Sequence, residues 1–120
     1  MTLQEPDHHQ IERLMELDVD ALYSLLPAYD AAQEGTVFSR EEWNKAGRAI
    51  FESLKGRIDE KICVEWDFCK KRTAQQYQDN ITLVASVADV LAALSTGIPP
   101  FVIAALVVKI GLTHFCRCEP

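Results

Sequence analysis

The chain has little with which to do chemistry. It carries no Gly-x-Ser-x-Gly elbow, no glycine loop of the kind that cradles phosphate and no His-Glu-x-x-His helix, and its five glycines are scattered. Positive charge is also scarce where it would matter. Residues 1 to 38 hold eight acidic side chains against the single Arg13, residues 39 to 80 hold nine basic and eight acidic ones, and the formal net charge is -6. That balance does not build the one-sided positive field that neutralises phosphates, so nucleic acid is not an expected partner. The run Lys70-Lys71-Arg72 reads as a solvated helix end, where cations complement exposed carbonyls.

Long apolar runs are missing too. A spanning helix needs about 20 apolar residues, and the run from Ile98 to Val108 stops at Lys109 while Asp89 interrupts its neighbour. Each charge would cost a few kcal/mol at membrane depth, so a membrane is not the expected partner. The acidic first thirty residues have no positive start followed by an apolar stretch. The expected location is therefore cytoplasmic.

What is present is ordinary globular material. The chain has 120 residues, 48% apolar and 25% charged, enough for one domain over residues 1–120 with one core. Ile11, Leu14, Met15, Leu22 and Leu25 recur at helical steps, which predicts a first helix from an Asp7 cap to Pro27, with Gln10 completing a capping box. Residues 28–37 read as a loop. Ser39 and Glu42 form a second capping box, with Phe38 placed to pack on Trp43. Behind it Trp43, Ala46, Ile50, Phe51 and Leu54 form an apolar stripe, and Gly56 marks an end or a bend.

Residues 58–72 carry two periods. Ile62, Val64, Trp66 and Phe68 alternate as in a strand, whereas Ile58, Ile62, Trp66 and Cys69 share a helical face. A lone strand would leave its backbone unpaired, which favours helix. A fourth helix is predicted over Ala74 to Leu94. Gly97 suits the left-handed position beyond it, and Pro99-Pro100 opens a fifth helix running to about Phe115. The expected fold is all-α, four or five helices around a C-terminal apolar hairpin, with an α+β arrangement carrying a short strand near residues 62–68 as the alternative.

The cysteines allow three readings. Reduced thiols packed as small apolar groups follow from a cytoplasmic location and are the expectation for Cys63, Cys69, Cys116 and Cys118. Four thiolates, or three with His114, would suit tetrahedral zinc. A disulfide would tie the last helix to the segment around Cys63 or Cys69. The spacing is not the paired Cys-x-x-Cys of ribbon sites, and a continuous helix would send Cys116 and Cys118 to different sides. No metal and no cofactor is therefore expected.

Function is read from this residue. Without a catalytic constellation the chain is not expected to be an enzyme, and its excess of apolar helix suits a non-catalytic interaction, adaptor or regulatory subunit. The partner would be another protein or a second copy of itself. Tyr23, Tyr29 and Asp30, beside other carboxylates, form a candidate surface for a basic partner, and Phe101 and Leu106 are candidates on the apolar hairpin. The alternative is a membrane-active protein whose hairpin, residues 81–115, inserts when released.

Overall fold

The N-terminal helical segment is two helices where the sequence suggested one. In the computed structural model, which describes residues 8–29, 39–94 and 96–118, α1 spans His8–Glu16 and α2 spans Val19–Leu25. Asp18 makes the break: its backbone is extended and its carboxylate accepts from the Ala21 amide at 2.7 Å, a cap that starts a new helix. Pro27 falls in the 3-10 turn Leu26–Tyr29 that follows. The Asp7 cap, the Phe38 staple and most of the expected loop lie outside the described residues.

α3, Arg40–Asp59, begins at the expected capping box: the Glu42 amide donates to the Ser39 hydroxyl and the Ser39 amide to the Glu42 carboxylate, both at 3.2 Å. The helix continues past Gly56 and buries Gly47, Phe51, Leu54 and Ile58, whereas Trp43, Ala46 and Ile50 are half-buried. The buried face is thus turned toward Gly47. A Cβ on Gly47 would overlap the Tyr23 carbonyl, so the missing side chain lets α2 approach closely.

Residues 58–72 are helical. α3 runs on as a π-helix over Glu60–Glu65, and the short α4 spans Phe68–Lys71. Asp67 between them is left-handed, with φ 57°, so it turns the chain and sets Phe68 inward. Trp66 stacks on Phe68 at 6.1 Å and meets Tyr77 edge-on at 5.4 Å.

The hairpin is shorter than expected at both ends. After a 3-10 turn at Gln75–Gln78, α5 spans Asn80–Leu91, started by Asp79, whose carboxylate accepts from the Ile81 amide and the Thr82 hydroxyl. Gly97 adopts φ 78° and α6, Pro100–Ile110, starts on Pro100, both as the sequence predicts. Gly111, with φ 105°, then breaks the last helix, leaving α7 as Leu112–Phe115.

The fold is all-α, with no strand among the described residues. α6 is its axis: Val102 to Val107 are buried without interruption, with α1, α2 and α5 against them. A helix apolar on every side must be enclosed, and here it is enclosed by its own chain. α3 packs on α2, and its π-helical extension reaches α5. Asp89 and Lys109 both lie exposed, and no ion pair joins them among the described residues.

Candidate functional site

The four cysteines are paired. Cys63 is bonded to Cys116 and Cys69 to Cys118, each with Cα atoms 5.3 Å apart, so the reading of free thiols is corrected. The physical reason lies in the backbone. A continuous helix would splay Cys116 and Cys118, but α7 ends at Phe115 and Arg117 is left-handed with φ 54°, and both side chains reach the one segment that holds Cys63 and Cys69. Asp67 does the same for the other half, turning the chain between Cys63 and Cys69. The two bridges are adjacent, since the Cys69 sulfur lies 3.9 Å from the Cys116 carbonyl oxygen.

Beside this brace an open groove of about 1420 Å³ runs along α3 and faces the C-terminal segment. Its floor is aromatic: Tyr23 meets Phe51 edge-on at 5.6 Å, and Phe51 meets Phe115 at 6.2 Å. Along α3 and its π-helical extension the walls carry Glu52, Lys55, Asp59 and Val64, and the C-terminal side supplies Ile110, His114 and Arg117. The Cys63–Cys116 bridge lines one end. Val64 is 66% exposed, the largest exposure of any big apolar side chain described. Gly56 sits mid-wall with open space where a Cβ would be.

Of the described residues nominated from sequence as a partner surface, Tyr23 alone lines this groove. It is 9% exposed, its ring covered by the Arg48 guanidinium at 4.5 Å, and burial raises its phenol pKa, aided by Glu52 and Asp20 and opposed by Arg48. Tyr29 is 42% exposed and lies away from the groove, Phe101 is half-buried, and Leu106 is fully buried within the chain's own core. Asp30 lies outside the described residues. The candidates are therefore not brought together, and Leu106 offers no surface to a partner in this conformation. Glu52, Lys55 and Asp59 stand at three- and four-residue steps visible in the sequence and Val64 follows five residues on in the π-helix, but the partner wall forms only through the bridges.

With every sulfur bonded, no group of three or more His, Cys, Asp or Glu side chains among the described residues is arranged to hold a metal ion. His114 is exposed on the groove wall. No protein-family model matches the chain, and no curated protein or solved structure is similar enough to match it.

Proposed function

We propose that this protein is a non-catalytic interaction module that seats a polypeptide segment of another protein in the groove beside α3. The groove carries the reading. From Phe51 to Val64 it follows about 20 Å of helix, the length of a short helical or extended peptide. It exceeds the roughly 300–1,000 Å³ of a small-molecule pocket, at about 1420 Å³, and it is open. Its apolar floor with both signs of charge above suits a peptide's mixed side chains, while Glu52 and Asp59 disfavour nucleic acid.

A second copy of the chain is the less favoured occupant. The apolar hairpin that would have driven self-association already has its surface covered, with Leu106 at 0% exposure. The same burial removes support from the membrane-active alternative. No helix of the described residues is long and apolar enough to cross a membrane. The cytoplasmic expectation, read from the first thirty residues, carried reduced thiols with it, and the two bridges favour an oxidising compartment instead.

Selection of peptides from a random displayed library against the oxidised protein tests the proposal. Enriched peptides should share apolar anchors at helical or alternating spacing and shift backbone resonances of Lys55, Val64 and His114. Binding should fall at least about tenfold with Val64→Asp, the loss of one apolar anchor contact. Lack of enrichment, or binding indifferent to Val64→Asp and Gly56→Arg, would contradict it.

A further inference from the structure

The Cys63–Cys116 bridge joins the two sides of the groove, Cys63 from the π-helical extension of α3 and Cys116 from the cap of α7, and both cysteines line it. Neither residue is fully buried. The other bridge reaches the groove through Cys118 and not through Cys69. Both bridges tie the same two segments, so with Cys69–Cys118 closed the first can open while the C-terminal wall stays tethered. A disulfide at the edge of a binding groove, whose opening does not release the wall, is placed for exchange with a thiol that sits there. We propose that the segment seated in the groove carries an unpaired cysteine and is captured as a mixed disulfide with Cys63, an inference that rests on the groove being a peptide seat.

The step is a thiol–disulfide exchange and needs no further reactant. The peptide thiol gives its proton to solvent, the thiolate attacks the Cys63 sulfur, and a new S–S bond forms as the Cys63–Cys116 bond breaks. The Cys116 sulfur leaves as a thiolate and takes up a proton. One disulfide and one thiol stand on each side, so nothing is oxidised or reduced overall. Because Cys118 remains bonded to Cys69, the freed Cys116 stays near Cys63, and the reverse step releases the peptide and restores the bridge. The outcome is capture without turnover, as suits a non-catalytic module.

The neighbouring side chains choose which sulfur leaves. A thiolate is stabilised beside a cation and disfavoured in apolar surroundings, and the better-stabilised thiolate leaves faster. Arg117 follows Cys116 directly, is exposed and lines the same groove, with His114 before it. Cys63 is flanked instead by Ile62 and Val64, with Asp59 and Glu60 one helical turn before it. Cys116 is therefore the leaving sulfur and Cys63 the one attacked.

A displayed peptide library with one fixed cysteine, panned against the oxidised protein, supplies the probes, and each enriched peptide is made again with serine in place of cysteine. The serine form reports the groove alone and should bind reversibly. The cysteine form should give an adduct of one peptide per chain, stable to denaturant and released by a dithiol. It should form at least about a hundredfold faster than the adduct of glutathione at equal thiol concentration, because the seated thiol is held at high effective concentration. After acid quenching and alkylation the peptide should map to Cys63 and the alkyl group to Cys116, and the Cys63→Ser/Cys116→Ser variant should lose the adduct. Serine forms that bind while their cysteine forms react no faster than glutathione, or adducts that map to Cys69, Cys116 or Cys118, would overturn the capture and leave the groove standing. Serine forms that do not bind would overturn both.

Discussion

Gly47 of α3 faces the carbonyl of Tyr23 in α2 so closely that a Cβ there would overlap it. Around this contact Asn44 donates to the Asp20 carbonyl at 2.9 Å, Arg48 pairs with the Asp20 carboxylate, and Phe51 meets the Tyr23 ring. These α3 residues recur at three- and four-residue steps, one helical face closing on α2. The Arg48–Asp20 pair is exposed on both sides and adds little by itself. The close backbone approach is what sets the spacing of the two helices.

Gly47→Ala therefore destabilises the protein by about 1–3 kcal/mol, although helix propensity alone would favour alanine. Gly56→Ala should do the opposite and add about 0.5–1 kcal/mol, because its Cβ would meet nothing. Urea unfolding of the two variants beside the wild type checks both signs at once.

The bridges are not additive. Cys63–Cys116 and Cys69–Cys118 close segments of 53 and 49 residues, but with one in place the other closes a ring of only roughly eight residues. Replacing one pair by alanine should cost about 2.5 kcal/mol, and replacing the second pair about 4 kcal/mol more, on the loop-entropy estimate. Denaturant midpoints of the single-pair and double-pair variants test the inequality.

Acid should act on the start of α3. The Ser39 amide, then its hydroxyl, hold the Glu42 carboxyl below its ordinary value. A lowered folded-state pKa contributes stability above the unfolded value, near 4.5, that is lost as pH falls through the folded value. Stability measured down through that range should fall more in the wild type than in Glu42→Gln. Ser39→Ala should cost about 1 kcal/mol at neutral pH.

Alkali should act on Tyr23. Burial raises its pKa above 10.0, so below 10.0 both folded and unfolded phenols are protonated and the fold is unpenalised. As pH rises past 10.0 the unfolded phenol ionises first, and stability falls until the folded value is passed. Tyr23→Phe should flatten that fall, which thermal unfolding across the range measures.

What could be read from the sequence was local. Ser39 with Glu42, Gly97 and Pro100 each act on backbone groups within four residues, so their residue types announce their roles. Asp18 and Gly111 broke helices whose apolar period carried on across them, and a period does not register a cap inside itself. A disulfide tie from the last helix to the segment around Cys63 or Cys69 was one of three readings, but that both pairs form was out of reach for a different reason. It depends on two left-handed residues, Asp67 and Arg117, whose side chains carry no turn signal strong enough to outweigh the helical pattern around them. The groove inherits that limit, because one of its walls is placed by those bridges.

The chain buries its own hairpin, which leaves the proposed contact surface to the groove beside α3. Light scattering across concentrations, paired with amide hydrogen exchange, tests it. A monomer throughout, with Val102 to Val107 among the slowest amides and Lys55 to Val64 responding when a selected peptide binds, is the predicted result. A dimer that persists on dilution, with exchange in α6 slowed only by association, would contradict it.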